Sequence, residues 1–387
     1  MKELNTQVAQ FKESIFSTMT KLANEHQAVN LSQGFPDFDG PSFVIEEAIK
    51  AMQNGFNQYA PSMGLLSLRE SVAMVYEKNY QLKFNPLNQV LITNGATEAL
   101  FCSIKALINP GDEVIVFEPF YDSYKASIEM AYGKVVPVTL KLPHFEFDLN
   151  ELEQAINSKT KLIIFNNPHN PTGKVFRPEE ILSLYELVKK HDLYLISDEV
   201  YEYLIFDQKH IPTASLFKDM SDRVLTISST GKTFGLTGWK VGWVIGDEKL
   251  IKQIHNVHQF TCFSVATPLQ KAMDEALKKI DDYIPVFQAE YLSKKQQMIQ
   301  GLTKAGFDLY LPKGTYFVIA KLDKNLQQND IQFCSQLIIE KKVATIPVSA
   351  FYLKRDEFGA CEGDQLIRFC FAKKEATIKS AIQNLCS

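Results

Sequence analysis

One lysine of the chain stands in a turn of small residues, where its amine is free to react. Lys232 lies in the segment Ser228–Thr233 (SSTGKT), and Lys240 follows eight residues later. A lysine amine attacks an aldehyde once it has lost its proton, and fixed charges nearby lower its pKa enough for that. This arrangement therefore indicates covalent chemistry between Lys232 and an aldehyde.

The same turn is similar to the end of a P-loop, which binds nucleotide phosphates. Gly231, Lys232 and Thr233 match that motif, but it requires another glycine five residues before Gly231, and this position is Thr226. The mismatch argues against a nucleoside-triphosphate site. That alternative predicts nucleotide binding and no yellow chromophore.

Two further segments place a phosphate-binding turn and an aromatic ring after apolar runs. Val90–Ile92 leads into Thr93–Ala99, a strand-to-helix turn whose free N–H groups and positive helix dipole suit a phosphate. An ordinary helix start, capped by Thr or Asn, has the same pattern. In Phe117–Asp122 an aromatic ring could stack on a pyridine ring, although Phe120 and Tyr121 also fit a core role.

Asn170 and Asp198 also follow buried strands. Two Asn-Pro pairs and a glycine fix the turn Asn166–Gly173 behind Leu162–Phe165, and Asn170 can donate a hydrogen bond to a phenolate oxygen from it. Asp198 ends another apolar run, and a carboxylate is costly to bury there without a partner. A protonated pyridine nitrogen is such a partner. A helix-capping role is the alternative.

In chain order these segments resemble the class I aminotransferases, the fold-type-I enzymes that use pyridoxal 5'-phosphate. The resemblance extends from Asn30–Pro36 to Ile367–Phe369, essentially the whole chain. It implies a catalytic set, namely Lys232 as the cofactor-binding lysine and proton carrier, Asp198 on the pyridine nitrogen and Tyr201 on the ring hydroxyl. It also implies the cofactor-binding residues, which are these three with Gly95, Ala96, Thr97, Tyr121, Asn170, Ser229, Lys240 and Tyr59.

Several finer expectations come from the same resemblance. Many relatives have arginine where Lys240 stands, and lysine keeps the charge but loses the bidentate hydrogen bonding to phosphate. The peptide bond Asn170–Pro171 is expected to be cis. The working unit is expected to be a homodimer in which Tyr59, within Gln58–Gly64, reaches the cofactor phosphate of the neighbouring subunit. The alternative is that Tyr59 is a loop aromatic within its own chain.

The resemblance also implies where the substrate binds. The substrate-binding residues are expected to be Gly34, Phe35, Asn170, Phe263 and Arg368. Arg368 lies in a strand-like apolar segment, and its planar guanidinium fits the α-carboxylate of an amino acid. Arg355 is the rival for this role, but its charged, glycine-containing segment favours exposure to solvent.

Within the family, Gln259–Pro268 and Gly238–Trp243 are similar to the kynurenine, glutamine and methionine aminotransferases, and the bacterial methionine-type enzymes match best. Residues 259–268 contain no arginine or lysine that could bind a side-chain carboxylate. Aromatic walls from Phe35, Tyr59 and Phe263 would suit thioethers and rings. We therefore expect large neutral donors: methionine, aromatic amino acids, kynurenine or glutamine.

The expected function is ping-pong transamination of such an amino acid with a 2-oxo acid acceptor. A β-lyase acting on cysteine S-conjugates is the alternative enzyme, because the same carbanion can expel a leaving group. A cofactor-binding regulatory domain is the non-enzymatic alternative. Such regulators carry an added DNA-binding domain, and about 30 residues before the first motif are too few for one.

Alternation of apolar and amphipathic segments predicts an α/β fold with a mostly parallel sheet flanked by helices. Strands are expected near 90–93, 113–117, 135–139, 162–165, 193–197, 224–228 and 242–246, followed by a long helical stretch over 269–304. We predict a large cofactor-binding domain over 45–289. A smaller α+β domain combines 1–44 with 290–387.

Composition argues against several classes of partner and indicates the cellular compartment. A net charge of −4 with both signs dispersed gives no footprint for nucleic acid, and no apolar run is long enough for a membrane span. The first residues lack a signal-peptide core. The six cysteines are scattered without zinc-binding spacing, so we expect no metal site and a reducing, cytoplasmic setting.

Overall fold

A computed structural model describes residues 2, 4–6, 8–323 and 328–387 of the chain. Its strands in chain order are β1 (Val29–Asn30), β2 (Val90–Asn94), β3 (Glu113–Glu118), β4 (Lys134–Thr139), β5 (Thr160–Asn166), β6 (Tyr194–Asp198), β7 (Val224–Ser229), β8 (Val241–Ile245), β9 (Asp308–Tyr310), β10 (Phe317–Lys321), β11 (Val343–Ala344), β12 (Ile346–Pro347) and β13 (Leu366–Cys370).

The helices lie mostly between these strands. They are α1 (Ile15–Glu25), α2 (Ser42–Gln53), α3 (Leu66–Tyr80), α4 (Gly95–Leu107), α5 (Ser123–Met130), α6 (Leu149–Ala155), α7 (Pro178–Lys190), α8 (Thr213–Leu216), α9 (Thr230–Thr233), α10 (Glu248–Thr261), α11 (Thr267–Lys278), α12 (Ile280–Lys304), α13 (Asp330–Lys341) and α14 (Glu375–Cys386). None of these helices is both long enough and apolar enough to cross a bilayer.

Seven of the described strands form one large sheet, in the order β2-β8-β7-β6-β5-β3-β4. Only β8 runs antiparallel to its neighbours β2 and β7, so the sheet is mostly parallel, as predicted. Parallel strands need helical crossovers, which cover both faces and leave the strands buried throughout. For this reason the strands are recognisable in the sequence as almost continuous apolar runs.

Side chains of β3 show how the two faces are filled. Val114 and Val116 pack with residues of α4 and α10, whereas Ile115 and Phe117 pack with residues of α7. Successive side chains of a strand point to opposite faces, and each face here meets its own helical layer. The sheet is therefore held rigidly between two apolar cores.

A second, smaller sheet lies in the C-terminal part of the chain. Its strands are antiparallel in the order β12-β13-β10-β9, and β1 pairs with β11 in parallel. Arg368 of β13 lies opposite Ile319 of β10. The helical stretch predicted over 269–304 is two helices, because α11 ends at Lys278 and α12 begins at Ile280. The predicted domain boundary at 289/290 falls within α12.

Candidate active site

The parallel strands of the large sheet end at one edge, and the site is built there. Asn166 at the end of β5 lies beside Asp198 at the end of β6, and Asp198 lies beside Ile227 of β7. Because β8 is antiparallel, it enters the sheet at the same edge and brings Lys240 there. Ligands in open α/β sheets bind at this position.

A cavity of about 310 Å³ opens at this edge. Its walls include most of the residues predicted for the site: Gly34, Phe35, Gly95, Ala96, Thr97, Tyr121, Asn170, Asp198, Tyr201, Ser229, Lys232, Lys240 and Arg368. The structure thus brings together residues that are more than 300 positions apart in the chain, from Gly34 to Arg368.

Lys232 presents its amine to this cavity from the short helix α9. Its Nζ donates hydrogen bonds to the Tyr316 hydroxyl at 2.9 Å and to the carbonyl oxygen of Gly34 at 3.2 Å. Burial lowers the pKa of Lys232 from 10.5 to about 8, because the surroundings solvate an ammonium ion poorly. A substantial fraction of this amine is therefore neutral near physiological pH, as attack on an aldehyde requires.

Asp198 ends β6 with an almost completely buried carboxylate. Oδ2 accepts a hydrogen bond from the Tyr124 hydroxyl at 2.6 Å, and Oδ1 accepts one from the backbone N–H of Val200 at 3.3 Å. Burial nevertheless raises the pKa of Asp198 from 3.8 to about 6. Among the described residues it forms no ion pair, so it suits a cationic ring nitrogen.

Arg368 and Asn170 form the substrate-facing part of the site. The Arg368 Nη1 donates to Asn170 Oδ1 at 2.9 Å, and Nη2 donates to the carbonyl oxygen of Ser32 at 3.0 Å. The side chain is 1% exposed, and its Nε has no partner among the described residues. Since Asn170 uses its oxygen for Arg368, its amide N–H₂ group remains available as a donor. The peptide bond Asn170–Pro171 is cis, which confirms that prediction.

The predicted phosphate site lies where β2 passes into α4. Gly95 turns the chain with a φ of +74°, and a Cβ on it would lie 3.2 Å from the Lys240 Nζ. The first N–H groups of α4 and the Lys240 side chain therefore meet there, and Ser229, whose hydroxyl donates to the carbonyl oxygen of Val241 at 3.1 Å, lines the same cavity. Gly242 allows this approach, because a Cβ on it would lie 2.8 Å from the backbone nitrogen of Ala96. Such a set of donors suits a phosphate dianion.

Two predicted residues lie outside the cavity of their own chain. Tyr59 is 84% exposed and Phe263 is 48% exposed, and their rings are in edge-to-face contact with centroids 5.3 Å apart. Phe263 has a φ of +68°, which a bulky residue rarely adopts. Arg355 is also absent from the cavity walls, because it pairs with Asp364 at 2.9 Å. Within the cavity, Arg368 therefore has no rival arginine for binding an α-carboxylate.

The segment that carries Tyr59 is tied to α4 by the buried His258 and is also held by the half-buried His255. His258 bonds to Glu98 through Nδ1 and to the carbonyl oxygen of Ser62 through Nε2, each at 2.8 Å, and His255 bonds to the Ser62 hydroxyl at 2.6 Å. Cys262 also lies near this group. Both nitrogens of His258 are thus already engaged, and their hydrogen bonds hold the segment against the start of α4.

Sequence reasoning missed Tyr124 and Tyr316. Tyr124 holds the Asp198 carboxylate, and Tyr316 holds the Lys232 amine. Both follow turn-forming residues, Pro119 and Asp122 before Tyr124 and Pro312 and Gly314 before Tyr316, but neither tyrosine was distinguishable from the many core aromatics. Tyr124 was detectable only as the third aromatic residue of the run after Phe117.

Comparison with known proteins identifies the family. Residues 26–385 match the family model for aminotransferases of class I and II. The chain belongs to this family. Methionine aminotransferase from Escherichia coli is 37% identical to it over 380 residues, covering 98% of this chain and 97% of that protein. Kynurenine–oxoglutarate transaminase 3 from Homo sapiens is 39% identical over 396 residues, covering 95% and 86%.

Solved structures of aminotransferases agree with this assignment. A methionine aminotransferase from Escherichia coli superposes with a TM-score of 0.94 at 36% identity, covering 100% of both chains. A single mutant of the Thermus thermophilus aspartate aminotransferase superposes with a TM-score of 0.91 at 29% identity, covering 100% of this chain and 99% of that one. The predicted family, the α/β fold class and the aminotransferase activity are confirmed.

Aminotransferases of this family use pyridoxal 5'-phosphate, and the cavity fits that cofactor. Lys232 lines the cavity and would bind the aldehyde, and the buried Asp198 carboxylate would hold the pyridine nitrogen. The donors around Gly95 suit the phosphate. When bound, the cofactor supplies an electrophilic carbon and a ring that withdraws electrons from the substrate. The predicted cofactor is confirmed by the family.

Proposed function

We propose that this aminotransferase acts on large neutral amino acids, namely methionine, aromatic amino acids, kynurenine or glutamine, with a 2-oxo acid acceptor and ping-pong kinetics. The observation that carries the proposal is the convergence of Lys232, Asp198 and Arg368 on one cavity whose remaining walls are largely apolar. The names of the relatives from Escherichia coli and Homo sapiens, a methionine aminotransferase and a kynurenine–oxoglutarate transaminase, support methionine and kynurenine among these substrates.

In this proposal each residue has a separate task. Arg368 binds the α-carboxylate through its guanidinium, and its unpartnered Nε supplies a further donor. Lys232 accepts the proton from the substrate Cα and later delivers it, for which its lowered pKa is suited. Asp198 keeps the ring nitrogen protonated. Asn170 and Tyr201 donate to the ring hydroxyl, and Tyr121 stacks on the ring.

The proposed phosphate contacts are Gly95, Ala96, Thr97, Ser229 and Lys240 of the same chain. The position of these residues at a helix N-terminus and beside an ammonium supports the assignment. Gly34 and Phe35 would close the substrate side of the cavity. Lys373 fixes this segment by donating to the carbonyl oxygen of Phe35 at 2.8 Å.

The absence of a cation from residues 259–268 supports the choice of neutral donors. An aspartate side chain would enter an apolar environment unpaired, which costs on the order of a few kcal/mol. A matrix of donors and acceptors on the purified protein tests the proposal. Methionine, aromatic amino acids and glutamine should exceed aspartate by about tenfold or more in kcat/KM.

Two variants make that test sharper. Arg368→Ala should weaken every donor alike, because all share the α-carboxylate. Phe263 lies outside the cavity of its own chain, so we expect Phe263→Ala to weaken mainly the large neutral donors through the site of the neighbouring subunit. Aspartate among the best donors would contradict the proposed specificity. Release of pyruvate and ammonia from a cysteine S-conjugate, without conversion of the cofactor to its amino form, would instead indicate a lyase.

We also propose a homodimer in which Tyr59 of each subunit reaches the phosphate in the other. The support is an exposed aromatic patch, defined by Tyr59, Phe260 and Phe263, which are 84%, 88% and 48% exposed. Exposed apolar patches of this kind commonly mark interfaces. The hydrogen bonds of His255 and His258 to Ser62 would hold Tyr59 at that surface.

Mixed dimers of Tyr59→Ala and Lys232→Ala subunits test this arrangement. If Tyr59 acts across the interface, each mixed dimer contains one site with both native residues, and activity returns. If Tyr59 acts within its own chain, no site is native and activity stays low. A fully active monomer at assay concentration would also contradict the proposal.

We further propose the division into a large domain over 45–289 and a smaller one over 1–44 with 290–387. The antiparallel sheet of β9, β10, β12 and β13 lies wholly in the second part, which supports the division. A cytoplasmic location is supported by six cysteines that are all free thiols. Fractionation of cells that contain the protein tests the location.

A further inference from the structure

Tyr316 is a buried phenol that the roles described above leave unassigned. Its ring is 0% exposed, and its hydroxyl contacts the amine of Lys232 at 2.9 Å. The same hydroxyl donates to the carbonyl oxygen of Gly34 at 2.5 Å, and the ring of Tyr316 is in edge-to-face contact with that of Tyr201, with centroids 5.3 Å apart. Tyr316 therefore lies between the reactive amine, the substrate-side segment and the residue placed at the ring hydroxyl.

Backbone strain holds Tyr316 in this position. Thr315, the residue before it, is completely buried and has a φ of +63°. A β-branched residue rarely adopts this conformation, so the surrounding contacts must hold it there. Its N–H donates to the carbonyl oxygen of Leu204 at 2.8 Å, and its Oγ1 accepts from the N–H of Phe317 at 3.3 Å. Strain of this kind clusters at functional sites.

The hydrogen bonds determine whether the lone pair of the Lys232 amine remains free. A neutral amine has two N–H donors and one lone pair. In the structure Nζ donates to the Tyr316 hydroxyl and to the Gly34 carbonyl oxygen. The Tyr316 proton is used on the same carbonyl oxygen, so the phenol oxygen acts as an acceptor towards Lys232. Both N–H groups are thus engaged, and the lone pair remains available for a proton.

We propose that Tyr316 is a positioning residue for Lys232, which holds the released amine by one N–H so that its lone pair faces the substrate Cα. Gly34 supplies the second acceptor. As a hydrogen-bond acceptor, Tyr316 also favours the ammonium form that exists after the proton has been taken up. The inference rests on the proposed role of Lys232 as the amine that reacts with the cofactor.

Tyr316→Phe tests this role, because it removes the hydroxyl and keeps the ring. Tyr291→Phe is the matched control. Its ring stacks on that of Tyr316 with centroids 6.1 Å apart, and its hydroxyl is buried without a hydrogen-bond partner among the described residues. Two quantities are measured in both variants: the donor half-reaction of the holoenzyme, and the pH dependence of Lys232 acetylation by acetic anhydride in the cofactor-free full chain.

In Tyr316→Phe we expect the half-reaction with methionine to slow by about 10- to 100-fold, with KM within about twofold of wild type. The midpoint of Lys232 acetylation, followed by peptide mass spectrometry, should move to lower pH by about 1. Tyr291→Phe should leave both quantities at wild-type values. A purely structural role for the phenol would not move the midpoint.

The inference is overturned if Tyr316→Phe matches wild type in both measurements, or if Tyr291→Phe changes them equally, since ring packing alone would then be responsible. Borohydride reduction of the wild-type holoenzyme separates this failure from failure of the proposed function. A pyridoxyl group on Lys232 preserves the site assignment whatever Tyr316 does. A pyridoxyl group on another lysine removes the basis for both.

Discussion

Replacing Asp198 by asparagine should separate cofactor binding from catalysis in this aminotransferase. Asparagine has the same shape and can still accept the hydrogen bond from Tyr124, so the fold should be preserved. It carries no charge, however, and cannot keep the ring nitrogen protonated. Without that proton the ring withdraws electrons from the substrate less strongly, and removal of the Cα proton becomes slower.

The magnitude follows from the burial of the carboxylate. Burial raises the pKa of Asp198 from 3.8 to about 6. This shift corresponds to a free-energy cost of roughly 3 kcal/mol for burying the charged carboxylate. A cationic partner offsets that cost, and removing one member of a buried ion pair costs about 3–5 kcal/mol. If this loss of free energy is expressed in the transition state, the rate falls by about two to three decades or more.

Single-turnover reaction with a donor alone measures the effect. The absorbance of the bound cofactor reports the half-reaction, and titration of the cofactor-free chain reports binding. Tyr124→Phe is the control, because it removes one hydrogen bond and leaves the charge, so we expect a loss of about tenfold. Rates of Asp198→Asn within about threefold of wild type would refute the role.

The buried charge of Asp198 also predicts how Asp198→Asn affects the stability of the cofactor-free protein. The folded-state pKa of Asp198 lies above the unfolded value, so the ionised carboxylate destabilises the fold. This destabilisation is absent below pH 3.8 and complete above about pH 6. Cofactor-free Asp198→Asn should therefore be at least as stable as wild type at neutral pH. A markedly lower Tm would show that the carboxylate has a structural role.

Three further predictions concern the lysine and the phosphate site. Lys232→Ala should abolish turnover and leave the fold and noncovalent cofactor binding intact; borohydride reduction and peptide mapping of wild type should locate the pyridoxyl group on Lys232 alone. Because the pKa of Lys232 falls from 10.5 to about 8, its burial costs stability below pH 8, and this cost disappears as the pH rises through 10.5. The rate of covalent cofactor uptake should follow the neutral amine, reach half of its maximum near pH 8 and level off roughly one pH unit higher, and a half-maximum near pH 10 would contradict the lowered pKa. Gly242→Ala should lower stability by about 1–3 kcal/mol and weaken cofactor binding, because its Cβ would lie 2.8–2.9 Å from backbone atoms of Gly95, Ala96 and Ser228. Gly238→Ala, which meets nothing within 4 Å, should leave the Tm unchanged.

Local features of the sequence were enough to predict the sheet and the residues at its edge. Lys232, Asp198 and Asn170 each follow an apolar run and stand in or beside a turn, and both signals depend only on nearby residues. Parallel strands end at one edge, so residues at three strand ends must meet there. For this reason the meeting of Lys232, Asp198 and Asn170 at one edge of the sheet was predictable without any contact information.

Tertiary structure alone decided how distant groups meet in the site. The antiparallel direction of β8 brings Lys240 to the edge, and the strained Thr315 directs Tyr316 towards Lys232. The pairing of Arg368 with Asn170 joins residues that are 198 positions apart. Such contacts depend on strand direction, register and packing between separate parts of the chain, and a sequence carries no local pattern for them. A buried tyrosine that holds a reactive amine therefore has the same appearance in the sequence as one that only fills the core.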